Sequence, residues 1–198
     1  MSFNAGWNCR VNIGPPPTDG ANTSPLLGEI YPFTYSNGVV AGWDVGPPTF
    51  DVGGIEPRLY GINYSFTSQH RIFRVDLLTS GTYSFTLALG QQGTLLTGQQ
   101  MIVKDNTTTL ATIGPATSNS FLDATGTSYS TAAWPGSNTP ITLVFTTTTA
   151  FFDISSSSDN CALAHIFLSQ VVIGGSLFRT PPLSGVGIGG PFFRDPLQ

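Results

Sequence analysis

Charge is scarce in this chain. Of 198 residues, seven are Lys or Arg and eleven are Asp or Glu, for a formal net charge of −4. Charged residues make up 9% of the whole, against a usual ~25%. Lys104 is the only lysine. Dispersed cations in an acidic chain cannot displace the counterions on which nucleic-acid binding rests, so no nucleic-acid partner is expected. Long apolar runs are missing as well. None approaches the ~20 residues of a membrane-spanning helix, and no membrane partner is expected. The opening Met1-Ser2-Phe3-Asn4-Ala5-Gly6 has neither the basic start nor the apolar block of a secretory leader. Synthesis in a cytoplasm is the expectation.

Cysteine and histidine are nearly absent. Cys9 and Cys161 form no CxxC and cannot build a four-thiolate zinc site. Two unrelated buried thiols are expected, with a single disulfide as the alternative. His70 and His165 are too few for a three-histidine metal site. His165 interrupts an apolar strand and reads as structural, and His70 sits at a strand entrance. No GxSxG elbow occurs; Ser184, in Pro182-Leu183-Ser184-Gly185-Val186, departs from it at the first position. The two glutamates, Glu29 and Glu56, lie in loop-like sequence, and nothing marks a carboxylate pair for glycoside hydrolysis. Asp153, Asp159 and Asn160 flank a serine run that reads as a solvated turn rather than a calcium loop. Gly185 to Gly190 follows no helix-forming sequence and is no phosphate cradle. No catalytic residue, metal or cofactor is assigned, and the expectation is a protein that is not an enzyme.

Hydroxyls and turn formers are plentiful. There are 25 threonines, 19 serines, 23 glycines and 15 prolines, a β-leaning and turn-rich composition. With 40% hydrophobic residues and 14 phenylalanines, the chain is not of the disordered class. From Thr82 to Leu89 the sequence alternates, with Tyr83, Phe85, Leu87 and Leu89 on one face and Thr82, Ser84, Thr86 and Ala88 on the other. Phe73, Val75 and Leu77 alternate with Arg74 and Asp76 just before, and Thr79-Ser80-Gly81 suits a hairpin turn between the two runs. Arg74 and Asp76, two apart on the polar face, read as a surface ion pair. Further strands are predicted over Met101 to Lys104, Leu110 to Ile113, Ile141 to Thr146, Phe151 to Ile154 and Ala162 to Ile173. No stretch carries three helical turns with caps. The reading is all-β, an antiparallel β-sandwich of jelly-roll type with extended N-terminal and C-terminal arms. Residues 1–58 form the N-terminal arm with Gly/Pro-rich loops, 59–173 the sandwich, and 174–198 a docking tail.

The tail holds an internal repeat. Ile173 to Pro181 reads IGGSLFRTP, and Ile188 to Pro196, fifteen residues later, reads IGGPFFRDP. In each copy a glycine pair permits close approach, a bulky pair offers an anchor, arginine offers a planar fork of donors and proline stiffens the exit. The expected partner-binding residues are Leu177, Phe178, Arg179, Phe192, Phe193 and Arg194. Sugar binding has its own candidates, because an aromatic flanked by amide or carboxylate groups can stack a sugar ring. Trp134 lies in a loop with Asp123 and Asn138 not far away in sequence, and Trp43 precedes Asp44. For both tryptophans, a lid on the sandwich core is the preferred reading.

The block from Tyr60 to Ser169 resembles the galactose-binding-like and malectin-like β-sandwiches. The resemblance rests on Tyr64 to Phe66, on Phe73-Arg74-Val75-Asp76-Leu77, and on the run from Gly81 to Gly90, GTYSFTLALG. It implies a jelly roll, often with a sugar site on its loops. The whole chain also resembles, in style rather than in motif, an accessory virion protein of a tailed bacteriophage. The functional expectation is a non-enzymatic virion structural protein. It would be a capsid decoration, a cement or a surface fibre subunit, made in the host cytoplasm and located in the virion. It would bind as a homo-oligomer to other virion proteins through its apolar tails. A lectin-like carbohydrate-binding module, with glycans as partners, is the alternative.

Overall fold

The computed structural model describes residues 3–8, 23–25, 28–35, 38–51, 61–77, 79–91, 96–116, 121–129 and 139–172. Among these residues there are fifteen strands and no helix. The strands are β1 (Asn4–Asn8), β2 (Thr23–Pro25), β3 (Phe33–Thr34), β4 (Val40–Trp43), β5 (Thr49–Asp51), β6 (Gly61–Ser65), β7 (His70–Asp76) and β8 (Gly81–Leu89). There follow β9 (Gln99–Asp105), β10 (Thr108–Ile113), β11 (Phe121–Leu122), β12 (Ser128–Tyr129), β13 (Ile141–Phe145), β14 (Thr149–Ser156) and β15 (Cys161–Gln170).

They form two sheets packed face to face. The larger has nine strands along the path β12-β11-β8-β15-β1-β2, with β13 also on β8 and with β5 joined through β6 to β15. The smaller has six, in the order β10-β9-β14-β7-β4-β3. Pairing is antiparallel except between β1 and β2. Between the sheets lies the core. Tyr83, Phe85, Leu87 and Leu89 of β8 enter it from one side; Phe73 and Val75 of β7 and Phe152 and Ile154 of β14 enter from the other. Phe85 stacks on Phe152 across the gap, with ring centroids 5.4 Å apart. Burying a side chain of this size contributes about 1.5–3 kcal/mol, so the alternation read in the sequence is what drives the two faces together.

Two expectations are corrected. The hairpin predicted around Thr79-Ser80-Gly81 does not form, because β7 and β8 lie in different sheets. Both strands bury one face in the same core, from opposite sides, and period-two alternation is the same for a hairpin as for an arch between sheets. The corner is held by Tyr83, whose hydroxyl donates to the Thr79 carbonyl at 2.6 Å. Secondly, the sandwich does not begin near residue 59. β1 pairs with β15 from Asn4↔Ser169 to Asn8↔His165, and its Phe3, Ala5 and Trp7 belong to the core. β4 brings Ala41 and Trp43 into the same core. β15 is itself irregular. A bulge between Leu163 and His165 shifts its parity, so Leu163 and Ile166 both face the core. Ala162 and Ala164 instead join a second apolar cluster with Ile62, Ala88, Leu96, Phe121 and Tyr129. His165 is fully buried beside this bulge.

Candidate functional site

The outer face of the six-stranded sheet gathers the chemically distinctive side chains. On β14 the inward residues are Ala150, Phe152 and Ile154, so Phe151, Asp153 and Ser155 point outward. Phe151 lies opposite Arg74 of β7 and Lys104 of β9; Asp153 lies opposite Ile72 and Ile102. Ile72, Lys104, Asn106, Thr107 and Phe151 line an open depression of about 370 Å³. That volume is in the range of small-ligand sites. One wall is the two-residue turn joining β9 to β10. Asn106 takes it at φ 51°, a left-handed conformation that asparagine tolerates better than most residues. The Asn106 N–H donates to the Thr149 carbonyl at 3.1 Å and ties the turn to β14.

Asp153 is the electrostatic centre of this face. Its side chain is 5% exposed, and a carboxylate so placed needs compensation. His70 Nδ1 lies 2.8 Å from one oxygen, and Lys104 Nζ donates to the other at 3.2 Å. His70 is 59% exposed and Lys104 29%, so the clamp has a buried carboxylate and two solvent-facing nitrogens. The ring of Phe151 is held beside the chain's only lysine.

A second group adjoins it. Arg74 Nε donates to Asp76 at 3.1 Å, the surface ion pair expected from the sequence. The guanidinium lies over Tyr31, 4.1 Å from the ring centroid, and 5.8 Å from that of Phe151. Tyr31 donates its hydroxyl to the other Asp76 oxygen at 2.9 Å. Burial raises the Tyr31 phenol above its ordinary value, and the Asp76 carboxylate adds to the rise. Tyr31 reaches this place because Gly42 lacks a side chain: a Cβ there would stand 2.4 Å from the Tyr31 nitrogen. The segment is fastened by the Tyr31 N–H on the Trp43 carbonyl at 2.9 Å and the Trp43 N–H on the Glu29 carbonyl at 2.8 Å.

Of the residues proposed from sequence, the two described ones, Trp43 and Asp123, lie elsewhere. Trp43 is fully buried, its ring 5.2 Å from that of Phe73, and it offers no face to a sugar. It is a core residue because β4 turns it inward between the sheets. Asp123 is 1% exposed and belongs to a turn at the other sheet. One of its oxygens accepts from the Thr125 N–H and hydroxyl and the Thr127 N–H, and the other from the Thr139 N–H, so it is a structural turn residue rather than a sugar contact. Trp134, Asn138, Leu177, Phe178, Arg179, Phe192, Phe193 and Arg194 lie outside the described residues. Cys161 is a free, fully buried thiol; burial pushes it up to about 12, and its S–H points to the Gln100 carbonyl. It is no nucleophile at neutral pH. Among the described residues no group of three His, Cys, Asp or Glu could hold a metal ion.

Sequence reasoning missed Phe151, Ile72, Asn106 and Thr107 as site residues. A signal existed: in a strand of period two, the Phe151-Phe152 pair must put one ring outward.

No family model matches the sequence, and no curated protein matches it. Among solved structures the chain is similar to part of a calcium-binding mutant of Bacteroides uniformis beta-glucuronidase 2. The TM-score is 0.54 at 12% identity, over 86% of this chain and 18% of that one. A 4-O-methyl-alpha-glucuronidase with specificity for decorated arabinogalactans matches with TM-score 0.38 and 12% identity, over 63% of this chain and 17% of that chain. A ruminal endo-beta-1,4-mannanase matches with TM-score 0.34 and 12% identity, over 73% and 24%. The chain thus spans less than a fifth of the beta-glucuronidase, and at this identity the likeness is one of fold. Fold and similarity together define a two-sheet β-sandwich, shared with part of the beta-glucuronidase.

Proposed function

We propose that this chain is a non-catalytic carbohydrate-binding module of galactose-binding-like type, and that it takes a glycan on the outer face of the six-stranded sheet. One observation carries the reading: the depression over Phe151 and Ile72, rimmed by Lys104, Asn106 and Thr107. A sugar ring has a C–H face that stacks on an aromatic ring and an edge of hydroxyls that need donors and acceptors. Phe151 and Ile72 supply the first requirement. Lys104, the Asn106 amide and the Thr107 hydroxyl supply the second. The sandwich it resembles sits inside a carbohydrate-active enzyme, which makes glycans the first ligands to test. The test is a glycan array, followed by titration calorimetry of any hit with Phe151→Ala. Loss of binding by a variant that still unfolds cooperatively in urea, with a stability loss of only about 1 kcal/mol, is expected. Hits that Phe151→Ala leaves intact would move the site elsewhere.

A second reading concerns assembly. The repeated IGG-x-x-FR-x-P pattern favours a homo-oligomeric subunit of a virion surface, docked through Phe178, Phe192 and Phe193 with Arg179 and Arg194 as hydrogen-bonding forks. Native mass of the full chain and of a chain ending at Val172 tests it: the same mass for both is the result against it. The two readings are compatible, since a surface subunit can also hold a glycan.

A further inference from the structure

We infer that the glycan is an acidic one, and that its carboxylate is read by the Arg74 guanidinium while its ring lies on Phe151. This rests on the proposed sugar site and adds the ligand's charge to it. Three features of Arg74 support the assignment.

The first is saturation. Asp76 uses one oxygen on Arg74 Nε and the other on the Tyr31 hydroxyl, which leaves it tied to the back of the group. The second is orientation. With Nε bonded and the plane lying over Tyr31, the guanidinium is fixed, and no acceptor among the described residues meets its two terminal nitrogens. These are the two nitrogens that form parallel bonds with a carboxylate. The side chain is 35% exposed, so the fork is reachable. The third is position. Arg74 and Lys104 stand on the two strands flanking Phe151, and neighbouring strands are ~4.8 Å apart. A sugar stacked on the ring therefore has a cation on either side. The face is close to charge-balanced, since Asp76 and Asp153 answer Arg74 and Lys104. That balance suits a single planar carboxylate better than a densely charged polyanion.

The experiment uses the full chain in solution calorimetry at low salt. The probes are oligogalacturonates and hyaluronan oligosaccharides, each paired with its methyl ester, and sulfated galactan oligosaccharides without uronate. At least one acid form is expected to bind about tenfold tighter than its ester. The preference should shrink as salt rises. Arg74→Lys, which keeps the charge but not the fork, should lose most of the preference while the ester still binds. Thermal unfolding of that variant separates a binding defect from a folding defect, and Lys104→Met serves as a second probe that leaves the Tyr31–Arg74–Asp76 group whole. Equal binding of acid and ester, or of uronate-free sulfated chains, overturns the inference and leaves the sugar site standing. Binding of neutral glycans alone does the same. No binding by any probe, together with an empty array, overturns both.

Discussion

The two sheets present the same kind of face inward and opposite kinds outward. The nine-stranded sheet carries a second apolar cluster on its back, built from Ile62, Ala88, Leu96, Phe121, Tyr129, Ala162 and Ala164. The six-stranded sheet instead carries Phe151, Lys104, Arg74, Asp153 and Tyr31 outward, with Asp153 buried under its ion-pair partners and the others partly exposed. A strand buried on both faces must be apolar at nearly every position, as β15 is from Cys161 to Leu168. A strand with one free face keeps half its positions for other chemistry. Function is therefore sought on the sheet whose back no described residue covers.

The sharpest way to break this comparison is to remove one aromatic from each side of the six-stranded sheet. Trp43→Ala empties a fully buried site and should cost about 3–5 kcal/mol in urea unfolding. Phe151→Ala, on the outer face, should cost about 1 kcal/mol and act on ligand binding instead. Similar losses for both would mean that the outer face is part of the packing. Gly42→Ala comes next. Its new methyl group meets backbone at 2.4 Å, which a side-chain shift cannot relieve. A loss of about 1–3 kcal/mol is expected in thermal unfolding, along with detachment of Tyr31 from Arg74.

Asp105 joins the two sheets rather than separating them. It ends β9 and accepts hydrogen bonds from Thr146 and Thr147, in the loop between β13 of one sheet and β14 of the other. Burial alone would raise its carboxyl, but these bonds outweigh burial and hold it below the usual carboxylate value. Such a group stabilises the fold above its unfolded pKa of about 3.9, and that contribution is lost as pH falls through the lower folded value. Asp105→Asn should lower stability at pH 7 by about 1–2 kcal/mol and flatten the acid limb of a stability-against-pH curve. The smallest effect is expected from Asp76→Asn. Its partner Arg74 is a third exposed, so the change in unfolding energy should be about 0–1 kcal/mol. Uronate binding should still change, because Arg74 loses the contact that orients it.

Local alternation made the strands legible before any coordinates. Tyr83, Phe85, Leu87 and Leu89 face the core as a period of two requires, and Arg74 meets Asp76 across two residues. Sheet membership was not legible, because β7 and β8 look alike whether they pair or face each other. The role of β1 was hidden for a different reason: five residues, Asn4 to Asn8, are too short to show a period, and their place depends on pairing with β15, more than 150 residues away. The site shared this difficulty. Phe151, Lys104, Ile72 and Arg74 come from three strands whose order only the sheet establishes, whereas tryptophans draw attention by type alone. Trp43 met the core alternative that its size already allowed.

Lys104 has one more consequence. As the chain's only lysine, it holds the only side-chain primary amine, and that amine stands on the rim of the depression. An amine-reactive dye will therefore report from this rim or from the amino terminus. A sensor surface coupled through amines risks masking the very spot to be measured.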